Sequence, residues 1–247
     1  MPGGNGELGP APPERVVLFV PCYVDPVRPS AAIAAVEILE ALGHRVEVRP
    51  DAVCCGQPFT NSGSAGEGEA LARLWHERMA GAGAVVILSS SCAAHLQRRR
   101  PPPAPGPGAA RGPEVWELCS FLERFHPDRS GGALDRIVCL HSSCHGLRES
   151  SADLAARASL DRIAGLRMLQ ARRADECCGF GGSFAMSFPE LSIRIGEDRI
   201  REITALGVDE VVATDLSCLL HLEGIARAGG MRGSFRHIAE LLREAMA

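Results

Sequence analysis

The 247-residue chain contains no lysine; all 26 of its basic residues are arginine. Without a lysine amine there is no Schiff-base nucleophile and no Walker A loop, so imine chemistry on lysine and P-loop ATP hydrolysis are excluded. A basic excess is missing as well. The net charge is −4 and the pI about 6.1, and the one run of three arginines is Arg98-Arg99-Arg100. A chain so balanced lacks the electrostatic footprint of a nucleic-acid binder. No apolar run approaches the roughly eighteen residues that span a bilayer. The N-terminus, Met1-Pro2-Gly3-Gly4-Asn5-Gly6, has neither the basic flank nor the apolar core of a signal peptide, so a cytoplasmic setting is expected. The one G-x-G-x-x-G match, Gly4 to Gly9, has no apolar strand run before it and so makes no dinucleotide turn, and there is no compact cysteine run of the ferredoxin or zinc-knuckle kind.

What the chain does have is ten cysteines. In a reducing compartment such thiols serve as metal ligands or catalytic groups more often than as bridges. The clearest stretch is Cys177-Cys178-Gly179-Phe180-Gly181-Gly182. Adjacent side chains of extended backbone point to opposite faces, so both sulfurs reach one site only if the chain bends sharply. Gly179, Gly181 and Gly182 permit that bend and leave N–H groups uncovered to face a thiolate or a cluster. Alone, the hexapeptide would serve equally as a buried pair of small apolar thiols or a vicinal disulfide.

Repetition changes the balance. Cys54-Cys55-Gly56 stands earlier in the chain, and each pair is flanked alike: Cys22 lies 32 residues before Cys54 and Cys144 lies 33 before Cys177, while Cys92 follows Cys55 by 37 and Cys218 follows Cys178 by 40. Apolar runs lead into Cys22 and Cys144, and a histidine follows three places after Cys92 and Cys218, as His95 and His221. The chain reads as a tandem duplication of a small α/β domain: residues 1–13 a Gly- and Pro-rich disordered tail, 14–126 the first domain, with 97–113 as a linker or loop insertion, and 134–247 the second.

In each half, strands alternate with helices in βαβ order, which predicts a parallel sheet. The first unit is expected to run strand 15–20, helix 30–42, strand 45–48, helix 66–80, strand 84–88 and closing helix 115–125. The second is expected to follow with strand 137–140, helix 152–163, strand 167–171, helix 189–206, strand 210–213, helix 217–227 and closing helix 236–246. The ligand set Cys22, Cys54, Cys55, Cys92 and its counterpart Cys144, Cys177, Cys178, Cys218 thus arrive at the carboxyl ends of strands, where open α/β sheets place their ligands. Cys119 and Cys139 fall within a helix and a strand and read as core residues.

The pattern of Cys, about thirty residues, Cys-Cys-Gly, about forty residues, Cys resembles the cysteine-rich CCG domain found in heterodisulfide reductases and in glycolate oxidase iron–sulfur subunits. A chain of two such domains, with Glu176-Cys177-Cys178-Gly179-Phe180-Gly181-Gly182-Ser183-Phe184 and Thr214-Asp215-Leu216-Ser217-Cys218, is most similar to the short iron–sulfur subunits of L-lactate-oxidising complexes. It departs from the fullest motif, which has a further cysteine where this chain has His95 and His221. The resemblance implies one or two thiolate-bound [4Fe-4S] clusters per chain, electron transfer during oxidation of L-lactate to pyruvate, and two partners: a ferredoxin-type iron–sulfur subunit and a third subunit.

The residues alone leave more open. Four thiolates also suit zinc, particularly at the first site, and a zinc-stabilised docking scaffold is the competing class. A glycolate or heterodisulfide/thiol oxidoreductase subunit is the competing substrate reading. His95 and His221 are candidate additional ligands, and His141 and His145 flank Cys144 closely enough to donate hydrogen bonds or carry protons. The second site is expected to be the functionally dominant one, because its turn is richer in glycine and Pro58 removes a donor from the first.

Overall fold

A computed structural model describes residues 11–102, 112–129, 131–231 and 233–247. Part of the expected tail (1–10) and most of the expected linker (103–111) lie outside the described residues.

The first half runs β1 (Arg15–Phe19), α1 (Val24–Val27), α2 (Pro29–Ala41), β2 (Arg45–Val48), α3 (Gln57–Asn61), α4 (Ala65–Arg78), β3 (Ala84–Ile87), α5 (Ser90–Arg98), β4 (Glu114–Glu117) and α6 (Leu118–Phe125). The second repeats that order with β5 (Gly132–Leu140), α7 (Cys144–Arg148), α8 (Ala152–Asp161), β6 (Ile163–Leu169), α9 (Ser183–Ser187), α10 (Pro189–Thr204), β7 (Glu210–Ala213), α11 (Leu216–Ala228), β8 (Ser234–His237) and α12 (Ile238–Ala245). Each half forms a four-stranded parallel sheet, in the orders β2-β1-β3-β4 and β6-β5-β7-β8. This is the expected duplicated α/β fold. In both sheets the strand order reverses beside the first strand, and ligand crevices of parallel sheets open at the carboxyl edge of such a reversal.

Three expectations are corrected. The closing segments 115–125 and 236–246 are not single helices. Each opens as a short edge strand, and the helix starts only where a capping side chain satisfies its first N–H groups. Glu117 accepts from Ser120 N at 3.1 Å, and His237 with Glu240 forms a capping box, with bonds of 3.2 and 2.9 Å. Second, Gln97 and Arg98 are not linker but the last turn of α5, a helix that also carries Cys92 and His95. Third, β6 begins earlier than the expected 167–171 strand, at Ile163, and ends at Leu169.

The largest apolar cluster belongs to both halves. Ile38 and Leu39 of α2 and Leu118, Phe121 and Leu122 of α6 are fully buried in one cluster with Leu160 of α8 and Leu241 and Leu242 of α12. Helix α2 packs on α12 and α8 on α6, so each closing helix covers the first crossover helix of the other half. Each such leucine or isoleucine contributes about 1.5–3 kcal/mol as an upper estimate. The interface is therefore part of the core, which holds the two carboxyl edges in a fixed relation. No helix among the described residues is long and apolar enough to cross a membrane.

Candidate metal centres

The eight predicted thiols gather into two clusters. In the first, Cys22 follows β1, Cys54 and Cys55 follow β2, and Cys92 lies in the first turn of α5. The sulfurs form a chain in which Cys22 contacts Cys54, Cys54 contacts Cys55, and Cys55 lies 3.1 Å from Cys92. The second cluster repeats it: Cys144 contacts Cys177, Cys177 contacts Cys178, and Cys178 lies 3.2 Å from Cys218. All ten cysteines are free thiols, so the vicinal disulfide is not formed. Cys119 and Cys139 are fully buried and belong to the apolar core.

Each cluster grades from a buried floor to an open mouth. Cys55, Cys92, Cys178 and Cys218 are buried, Cys54 and Cys144 half-buried, and Cys22 and Cys177 exposed. One sulfur in each is held as an anion. Cys54 lies far below the ordinary thiol range because Cys22, then Cys55, donates to it, and donation from Cys144 and Cys178 does the same for Cys177. The donors hold their protons more tightly in return. One thiolate among four convergent sulfurs is the donor set of a soft metal or an iron–sulfur group.

The bend between adjacent cysteines depends on one glycine in each half. Gly56 and Gly179 have φ of +88° and +92°, and a Cβ there would stand 2.4 Å from the Gly68 carbonyl oxygen or 2.5 Å from that of Ser192. Only glycine combines that conformation with so close an approach of α4 or α10. The sulfur-directed N–H groups are those of Gly179 to Cys177 (3.4 Å) and Phe180 to Cys178 (3.4 Å). Gly181 and Gly182, both with positive φ, make no such bond among the described residues, so their predicted cradling role passes to Phe180. The first turn matches with Gly56 N to Cys54 (3.5 Å), and the Gln57 N–H supports Cys55.

The histidines separate. A ring nitrogen of His141 lies within 4.8 Å of the Cys178 and Cys218 sulfurs. Its Nδ1 accepts from Arg199 Nε at 3.3 Å and its buried Nε2 has no partner among the described residues. Burial, reinforced by Arg199, lowers its pKa to about 4 and keeps the ring neutral. His221 Nε2 instead lies 3.3 Å from the Ser192 hydroxyl. His95, lowered to about 4 by burial, has an unpartnered Nε2 beside a polar cleft of about 270 Å³ that Gln57, Arg99 and His145 also line. His145 Nδ1 lies 3.5 Å from Cys144 and 3.4 Å from Ser91 Oγ.

Between the clusters lies a buried polar knot that periodicity did not reveal. Asp215 occupies the N-cap position of α11 but makes no cap there; it accepts instead from Ser89 Oγ, Ser90 Oγ and Ser91 N at the start of α5. Ser89 in turn accepts from Cys92 N at 3.1 Å, and Ser90 meets Ser143, which caps the helix that begins at Cys144. Arg199, fully buried, was missed too. Its signal was present, since it shares the buried face of α10 with Ser192, Gly196, Ile200 and Ile203.

The donor sets fit a thiolate-bound metal group: convergent sulfurs, backbone N–H groups aimed at them, and an unpartnered buried N–H beside the second. A model of the cysteine-rich CCG domain matches residues 16–97 and 138–223. Lactate utilization protein A of Shouchella clausii (strain KSM-K16) is 32% identical over 237 residues, covering 92% of this chain and 98% of that one. Lactate utilization protein A 1 of Bacillus mycoides (strain KBAB4) is 30% identical, covering 93% and 97%. Among solved structures, a hypothetical protein from Helicobacter pylori superposes with a TM-score of 0.72 at 12% identity over 97% of this chain; the chain spans 50% of that protein's length, and the likeness is one of fold.

Proposed function

The chain belongs to the cysteine-rich CCG-domain family, alongside lactate utilization protein A, and on that premise we propose that it is an iron–sulfur subunit of a lactate-oxidising complex. The observation that carries this reading is the pair of four-sulfur clusters, each assembled from three strand ends and open at one side. In the first, Cys22, Cys54, Cys55 and Cys92 would hold the group; in the second, Cys144, Cys177, Cys178 and Cys218. Bound as [4Fe-4S], such groups supply one-electron carriers for the oxidation of L-lactate to pyruvate.

The chain's own residues set the conditions. Buried Cys55, Cys92, Cys178 and Cys218 shield the inner side of each site, and exposed Cys22 and Cys177 leave the outer side to a partner or substrate. Because ligands come from separate strand ends, each site exists only in the folded chain. The sequence offers no organic cofactor motif, so the polypeptide is proposed to act with a ferredoxin-type iron–sulfur subunit and a third subunit, in the cytoplasm, and to oxidise little or no lactate alone.

Anaerobic purification followed by iron, sulfide and zinc analysis tests the metal, and lactate-dependent acceptor reduction with and without the partner subunits tests the role. Iron with matching sulfide and turnover only in the assembled complex is the expected result. Stoichiometric zinc without iron would establish the scaffold reading instead, and turnover driven by glycolate or a heterodisulfide but not lactate would replace the substrate.

A further inference from the structure

Strand register and helix approach put the two halves in one-to-one correspondence. Phe19 pairs with Ile87 at the end of β1, and His141, whose N–H bonds to Val212 O, stands at the matching place beyond β5, three residues before the first cysteine. The matched contacts of Gly56 with Gly68 and of Gly179 with Ser192 align α4 with α10, and seven residues further on lie Trp75 and Arg199. Equivalent positions are in contact in both halves. In the first, Phe19 meets Trp75 edge to face at 5.4 Å; in the second, His141 accepts from Arg199 at 3.3 Å. All four side chains are buried. One layer behind the sulfurs is therefore apolar at the first site and cationic at the second.

The chemistry of that pair is determined. A guanidinium is always a donor, so His141 Nδ1 must carry the lone pair and Nε2 the proton. Nε2 is therefore an N–H donor and not a metal ligand in this state. It is buried with no acceptor among the described residues, and the Cys178 and Cys218 sulfurs lie within 4.8 Å of a nitrogen of its ring. Arg199 adds a fixed charge, held by the Arg173 carbonyl at 2.8 Å and by Glu202 at 3.6 Å. Solvent exposure does not distinguish the sites, since Cys55 and Cys178 are each 3% exposed and Cys92 and Cys218 6% and 8%.

Hydrogen bonds to sulfur and nearby positive charge stabilise the reduced, more negative state of an iron–sulfur group. Resting on the iron–sulfur reading above, we propose that His141 and Arg199 set the second site at a higher reduction potential than the first, so that it is the site reduced first. Both act as positioning and tuning residues, and neither is a ligand.

The test uses the full chain reconstituted anaerobically with iron and sulfide and titrated redox-wise under electron paramagnetic resonance, with Cys55→Ser identifying which signal belongs to the second site. The wild-type protein is expected to show two separate reductions, the second site at the higher potential. His141→Phe and Arg199→Met should each move that reduction to lower potential and leave the first site's unmoved, and His141→Gln, which keeps an N–H donor, should restore part of the shift. Coincident or reversed wild-type potentials overturn the proposal without any variant. So does an unmoved second reduction in iron-replete His141→Phe and Arg199→Met. Absence of iron from the wild-type second site would instead overturn the iron–sulfur reading itself, and this proposal with it.

Discussion

Ser89 donates a 2.6 Å hydrogen bond to Asp215 across the interface between the two halves. The carboxylate also takes the Ser90 hydroxyl and the Ser91 N–H, so it caps a helix of the other half rather than its own. Asp215→Ala would leave these buried donors without an acceptor, a loss of about 3 kcal/mol. Urea unfolding of the metal-free protein measures it. A loss within experimental error of a surface substitution would show that the knot is replaceable by water.

Gly179→Ala places a methyl 2.5 Å from the Ser192 carbonyl at φ of +92°. The conformational strain alone is about 1–3 kcal/mol, and the turn must move away from α10 as well. Metal at the second site should be lost while the first site keeps its own, and Gly56→Ala should reverse the pattern. Metal content per chain in the two variants decides the matter.

Cys178→Ser is expected to abolish lactate-dependent turnover of the assembled complex, whereas Cys55→Ser should mainly lower stability. Iron content and turnover measured side by side check the asymmetry, and equal losses from both substitutions would remove it.

Burial pushes the Glu117 carboxyl up to about 8 from an ordinary value of 4.5, with Asp215 adding repulsion against donation from Ser120 and Cys119 N–H groups. The folded state thus holds a proton that the unfolded chain releases. Its contribution to stability is complete below about pH 4.5 and is lost as pH rises through about 8. Glu117→Gln keeps the Ser120 cap without a titrating group and should be less sensitive to pH between 6 and 9. Unfolding free energies of both proteins across that range give the difference directly, and parallel slopes would assign the dependence elsewhere.

The duplication, the parallel α/β class and the two thiol sets were legible in the sequence because each is written locally: apolar runs of strand length, helical spacing, and cysteines at matched intervals. Strand Arg45–Val48 and strand Glu210–Ala213 were readable to the residue, since turn signals bound each run. The edge strands Glu114–Glu117 and Ser234–His237 were not. Four residues that pair on one side only carry too little pattern of their own, and what makes them strands is the neighbour, β3 or β7. The sequence also located the inequality of the two sites in glycine count, yet the cysteine turns prove alike in their N–H bonds to sulfur. Their difference lies one layer behind, where His141 and Arg199, 58 residues apart, replace Phe19 and Trp75. No local pattern specifies which side chains meet across that separation. The approach of Trp75 on α4 to Phe19 and of Arg199 on α10 to His141 decides it, because only the folded chain brings each pair into one buried volume, where an unpaired charge or donor is costly.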